Sequence, residues 1–209
     1  MAEPNPDRWA LTHMRRLALA RWDNEGGARA YRPTAGTADP SDVDRASPAS
    51  TLGSDEPGMK PRVGIAADHG GFALKTELVR SLRSSGCDVM DFGAHHLDPA
   101  DDYPDFVAPL ARAIATGELM RGIALCGSGV GVSIVANKFA GVRAGLVHDV
   151  FSAHQGVEDD DMNIACFGAT VIGTGLALDL LHTFLNARFS GASRHQRRLA
   201  KLRAIENRI

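Results

Sequence analysis

The sequence predicts an α/β fold, a Rossmann-like three-layer α/β/α sandwich around a five-stranded parallel sheet. Three observations carry this expectation. From Met59 onward, short apolar runs alternate with longer segments of helical spacing. The runs are almost continuously apolar rather than alternating, which is the pattern of strands covered on both faces. Glycine-rich or charged loops follow several of them, where an open parallel sheet places its ligands.

The elements follow in order. Arg62-Val-Gly-Ile-Ala-Ala67 reads as the first strand, closed by Asp68-His69-Gly70-Gly71. Phe72, Leu74, Leu78, Val79 and Leu82 recur at helical spacing, which predicts a helix over 72–82. Cys87–Asp91 reads as the second strand and Phe106–Ala115 as the second helix. Gly122–Cys126 is the third strand, with a helix over Val130–Lys138 after its glycines. Arg143–Val147 is the fourth strand, followed by a short helix from Val150. Asn163–Phe167 is the fifth, followed by a long helix over Gly173–Phe189 and a final one over Arg197–Glu206. Right-handed crossovers place the ligand site at the carboxyl ends of the strands, so chemistry is expected at Asp68–Gly71, Cys126–Gly131 and His148-Asp149.

Residues 24–58 are rich in Gly, Pro, Ser, Thr and Asp and lack a sustained period, so they are expected to be disordered. A short helix is expected over Trp9–Trp22. Met59 stands just before the first strand as a second candidate start. The reading is therefore an N-terminal extension over 1–58 and a domain over 59–209. The net charge of -2 and pI of about 6.4 argue against a nucleic-acid binder, which usually carries a basic face. Cys87, Cys126 and Cys166 are too few and too far apart for a disulfide framework or a zinc knuckle, which points to a reducing compartment. No apolar run approaches the roughly 18 residues of a membrane span, and the N-terminus lacks a secretory apolar core. The expectation is a cytoplasmic protein with no membrane partner.

Cys126 is the most informative residue. It ends an apolar strand directly before Gly127-Ser128-Gly129 and the next helix. Glycines let the backbone approach a ligand, and a positive helix end favours thiolate, a usable base. Packing as a small hydrophobe is the alternative, and it is the reading for Cys87 and Cys166. Gly127-x-Gly129-x-Gly131 lacks the third glycine of a dinucleotide fingerprint, since Val132 stands there, and it follows the third strand rather than the first. It reads better as an anion or oxyanion cradle. Asp68-His69 can bind hydroxyls or phosphate, or Asp68 can cap the following helix. Arg194-His195-Gln196-Arg197-Arg198 suits a phosphate at the start of the last helix, against a solvated basic surface or a nucleic-acid contact. Glu158–Asp161 lacks a spaced His partner and reads as a solvated or N-capping stretch. His95-His96 with Asp98, Asp101 and Asp102 reads as a decoy, so neither a metal nor a cofactor is expected.

From Val63 to the C-terminus the chain resembles the type B ribose-5-phosphate isomerases and the related galactose-6-phosphate isomerase subunits. The matching stretches are Ile65–Lys75, Asp102-Tyr103-Pro104, Cys126–Ala144 and Arg194–Arg198, in family order. The resemblance implies an aldose–ketose isomerase working through a cis-enediolate on a small sugar phosphate, without a cofactor. It implies Cys126 as the base, and Gly127, Ser128, Gly129, Val130 and Gly131 as the enediolate cradle. It implies Asp68 on sugar hydroxyls, Tyr103 lining the pocket, and His69, Arg194 and Arg198 at the phosphate. It further implies a homodimer, or a homotetramer of such dimers, whose active sites are shared between subunits.

The sequence departs from that pattern twice. Asp159-Asp160 replaces the His-Asn of the ribose-phosphate enzymes, in which His assists opening of the furanose ring, and Thr170 replaces an Arg near the phosphate. A tetrose 4-phosphate needs no ring opener, because its C4 oxygen carries the phosphate and cannot close a furanose. The stretch Gln155–Asn163 also resembles the erythritol-catabolism branch of the family. The expected substrate pair is erythrulose 4-phosphate and erythrose 4-phosphate. The alternative is ribose 5-phosphate with ribulose 5-phosphate, with Asp159 shuttling the ring-opening proton and Asp160 beside it. A non-catalytic paired subunit and a sugar-phosphate-binding regulator are the readings from other classes.

Overall fold

The computed structural model describes residues 62–207. The expected helix over Trp9–Trp22, the expected disorder over 24–58 and the possible start at Met59 lie outside the described residues.

Among these residues the chain alternates five strands with six helices. They are β1 (Arg62–Ala67), α1 (Phe72–Ser84), β2 (Asp88–Asp91), α2 (Tyr103–Ala115), β3 (Arg121–Cys126) and α3 (Val130–Ala136). Then come β4 (Ala144–Leu146), α4 (Val150–Asp160), β5 (Ile164–Gly168), α5 (Thr174–Asn186) and α6 (Ser193–Glu206). All four strand pairings are parallel, in the order β2-β1-β3-β5-β4. The predicted sandwich is therefore present. β3 and β5 are buried along their whole length, as their unbroken apolar runs require, while β2 and β4 are the more exposed edges.

Alternation along the strands sorts the core into two layers. Ile65, Ile123, Leu125, Ala165 and Phe167 face α1, α4 and α5 through Leu78, Leu82, Val157, Leu180 and Phe184. Ala66, Ala124, Cys126, Ile164 and Cys166 face α2 and α3 through Val107, Leu110, Val132 and Ala136. Cys126 thus points to the α2–α3 side.

Several boundaries move. α2 begins at Tyr103, three residues before the expected Phe106, because Pro104 fits the first helical turn, where no N–H is needed. α6 begins at Ser193 rather than Arg197, which puts the basic run inside its first turns. The cap of α1 is Gly71, not Asp68; the Asp68 carboxylate instead accepts the Gly71 N–H at 3.0 Å and closes the preceding turn. Glu158–Asp160 ends α4 instead of capping a helix start, and Asp161 closes it with φ 49°.

One buried ion pair ties the first helix to the sheet. Lys75 Nζ donates to Asp91 Oδ1 and to the Ala94 carbonyl, both at 2.6 Å.

Candidate active site

The carboxyl ends of β1 and β3 carry the first cluster. Cys126 is the last residue of β3 and is 5% exposed. Its Sγ accepts the Gly129 N–H at 3.0 Å. That bond needs the chain to double back, and Gly129 does so in the left-handed region at φ 79°. A Cβ there would lie 2.5 Å from Leu146 Cδ1 and 2.9 Å from the Gly168 nitrogen, so only glycine fits. Val130 N–H goes to Ser128 Oγ at 3.3 Å. Among the described residues the N–H groups of Ser128 and Gly131 have no intramolecular partner, and Ser128 is exposed. Such groups can accept developing negative charge on a substrate oxygen.

The neighbouring loop closes over the cradle. A Cβ on Gly70 would meet the Gly127 nitrogen at 2.9 Å and Asp68 Oδ1 at 3.2 Å, so the two post-strand loops touch. Tyr103, at the start of α2, packs its ring on Gly131, where a Cβ would come within 2.8 Å of it. Asp68 is buried, while His69 is exposed and bonded to Asp101. That hydrogen bond raises the His69 pKa above the ordinary imidazole value, with Asp101 and Asp68 adding charge attraction. Cys87 and Cys166 behave as packing thiols, since burial raises the pKa of both.

Thr170 is the residue whose role the sequence did not disclose. Its N–H and its Oγ1 both donate to the Gly127 carbonyl, at 3.0 and 2.6 Å. Ala169 N–H takes the Cys126 carbonyl at 2.9 Å. The loop after β5 therefore pins the backbone of the cradle from behind. The sequence showed only an absent Arg. The strand order, with β5 beside β3, reveals the contact.

The second cluster lies elsewhere. β3 pairs with β5 so that Gly122 meets Ile164 and Cys126 meets Gly168. Asp159 and Asp160 precede Ile164, so they sit toward the opposite end of the sheet from Cys126. Within one chain Asp159 does not join the thiol. Its side chain is buried, with Oδ2 accepting from Gln155 at 2.8 Å and Oδ1 lying 3.3 Å from His195 Nδ1. His195, read from sequence as a phosphate ligand, is instead 3% exposed, with Ser190 Oγ 2.8 Å from Nδ1. Arg194 Nε donates to His195 Nε2 at 2.6 Å. Asp160 and Arg198 line a groove of about 640 Å³ with Leu199, Leu202 and Ile205, alongside β4. No group of three or more His, Cys, Asp or Glu able to hold a metal occurs among the described residues, and no described helix is long and apolar enough to cross a membrane.

The β1–β3 end of the sheet thus gathers a thiol, a buried carboxylate and backbone N–H groups without an intramolecular partner among the described residues. Comparison with known proteins is specific. The ribose/galactose isomerase family model matches residues 63–202. Ribose-5-phosphate isomerase B of Escherichia coli is 40% identical over 147 residues, 70% of this chain and 97% of the relative. D-erythrulose-4-phosphate isomerase of Pectobacterium atrosepticum is 37% identical over 129 residues, 62% of this chain and 85% of the relative. The solved ribose-5-phosphate isomerase B of Clostridium thermocellum superposes with a TM-score of 0.68 at 43% identity, covering 70% of this chain and 98% of that one. That of Mycoplasma genitalium with bound ribulose-5-phosphate gives 0.68 at 34% identity, covering 71% and 97%. The chain belongs to the ribose/galactose isomerase family and is an isomerase.

Proposed function

We propose that this isomerase interconverts erythrulose 4-phosphate and erythrose 4-phosphate through a cis-enediolate, in a site completed by a second copy of the chain. Its coarser activity is that of a sugar-phosphate aldose–ketose isomerase. The observation that carries the finer reading is Asp159. It occupies the ring-opening position of the resembled ribose-phosphate enzymes, yet its carboxylate is 6% exposed and engaged by Gln155 and His195. A carboxylate tied up in this way is a poor proton shuttle for opening a furanose. A tetrose 4-phosphate has no furanose to open.

In this reading the Cys126 thiolate removes the proton from C2 of the aldose, or from C1 of the ketose, and returns it to the neighbouring carbon, while the hydroxyl proton passes between O2 and O1 of the enediolate. The N–H groups of Ser128 and Gly131, with the Ser128 hydroxyl, stabilise the enediolate oxygen. Asp68 takes a sugar hydroxyl, Tyr103 walls the pocket, and His69 binds the phosphate together with Arg194 and Arg198. The two clusters lie toward opposite ends of one sheet, so a complete site needs Arg194, Arg198 and Asp160 from a partner copy. The groove beside β4, with exposed Leu202 and Ile205, offers that copy an apolar seat. Ribose 5-phosphate is the second reading, favoured by the 40% identity to the Escherichia coli enzyme.

The test is kcat/KM on erythrulose 4-phosphate, erythrose 4-phosphate and ribose 5-phosphate, with Cys126→Ala alongside. A tetrose preference is expected, with kcat falling by about 10²–10⁴-fold in the variant. Higher efficiency on ribose 5-phosphate overturns the four-carbon assignment, and full activity in Cys126→Ala overturns the base.

A further inference from the structure

The acidic loop ahead of α2 read from sequence as a metal decoy, but one of its carboxylates turns back toward His69. Asp101 Oδ1 accepts the His69 backbone N–H at 3.0 Å and lies 2.6 Å from His69 Nδ1. The loop backbone that carries Asp101 is fixed too, since Asp101 N–H donates to the Asp98 carbonyl at 3.1 Å and Ala100 N–H donates to Asp98 Oδ1 at 3.0 Å. The Asp101 side chain is only 8% exposed, while the imidazole is 41% exposed. The second carboxylate oxygen, Oδ2, is buried without a hydrogen-bond partner among the described residues. Buried polar atoms are normally paired, so a carboxylate serving stability alone would be expected to satisfy both oxygens. This one concentrates its described hydrogen bonds on His69.

We propose that Asp101 is a positioning residue for the substrate phosphate: it takes the backbone N–H and Nδ1–H of His69 on one oxygen and so turns Nε2–H outward as the phosphate donor. The proposal rests on the reading of His69 as a phosphate ligand. Its chemistry follows from the two ring nitrogens. A neutral imidazole with its proton on Nδ1 facing Asp101 presents a bare lone pair at Nε2, which repels a phosphate oxygen. Only the imidazolium offers N–H to Asp101 and to phosphate at once. Asp101 therefore ties the donor role of Nε2 to the imidazolium.

The charged groups around this loop support one direction. The Asp101 hydrogen bond raises the His69 pKa, opposed by desolvation and reinforced by the charges of Asp101 and Asp68. Lys75, the nearest basic residue along α1, is committed to Asp91 and the Ala94 carbonyl. Asp102 caps α2 and Asp105 lies in its first turn. A raised pKa means that the donor form is present below it and is lost as pH rises through it. The cationic donor then persists to higher pH than in an unassisted His.

The test is Asp101→Asn, which keeps the shape and one acceptor oxygen but removes the charge. KM and kcat are measured from about pH 6 to 9, the range in which His titrates. The His69 ring is titrated by NMR, assigned by its loss in His69→Gln. The expected result is a lower His69 midpoint, a KM that climbs at lower pH than in the wild type, and an unchanged kcat, because the charge that favours the imidazolium is gone. Asp101→Glu is expected to restore part of the profile. A wild-type KM profile in Asp101→Asn, with KM raised in His69→Gln, overturns the role of Asp101 alone. An unchanged KM in His69→Gln overturns the phosphate assignment of His69, and this proposal with it. Should Asp101→Asn not fold, a wild-type His69 midpoint at or below the ordinary value overturns the proposal directly.

Discussion

The two clusters are built on different principles. The Cys126 cluster is made largely of backbone: a left-handed Gly129, carbonyls held by Ala169 and Thr170, and the N–H groups of Ser128 and Gly131, which have no partner among the described residues. The cluster at the junction of α4 and α6 is made of side chains, and Asp159, His195 and Arg194 satisfy one another. In the proposed reading the first receives the developing charge on the substrate oxygen. The second is fastened to itself and presents Arg198 and Asp160 to a groove. In the proposed reading, a complete site takes one cluster from each of two copies.

Mixing variants breaks that comparison most sharply. Cys126→Ala and Arg198→Ala are each expected to be nearly inactive as pure proteins. In a mixed dimer one site inherits both defects and the other inherits neither, so activity is expected to reappear on subunit exchange, as read by turnover of the mixture. Mixtures as inactive as their components would mean that each chain supplies its own complete site.

Gly129→Ala probes the backbone cluster. The new methyl meets Leu146 and the Gly168 backbone, and a left-handed alanine costs about 1–2 kcal/mol. The N–H that holds the thiol moves with it. A fall in kcat of about 10² or more is expected, with a modest loss in melting temperature. Wild-type turnover would show that the Gly129–Cys126 bond does not matter to catalysis.

Thr170→Val is the smallest step. It removes only the Oγ1 bond to the Gly127 carbonyl, and a bond of that kind is worth about 1 kcal/mol, or roughly five- to tenfold in rate. The expected outcome is a lower kcat with little change in KM, recovered in Thr170→Ser. A change confined to KM would move Thr170 from the cradle to the phosphate.

Strand and helix identities were legible because burial on both faces writes itself as continuous apolar runs, and packing on one face as helical spacing. Cys126 and its glycines were legible for a related reason: a thiol at a strand end before a helix start is a local arrangement. Helix ends were less so. Pro104 moved one start, and the acids at 158–160 proved to end a helix.

What the sequence by itself determined is the fold class and the family. Each of these depends on periodicity or on neighbours along the chain. What only the tertiary structure decided are the partners of Thr170, Asp101 and Asp159. Those contacts join residues 32 to 43 positions apart, and they exist because β5 inserts between β3 and β4, the loop ahead of α2 folds onto β1, and α6 packs on α4. Strand order and loop docking are set by the free energy of the whole core, which no local window of sequence contains.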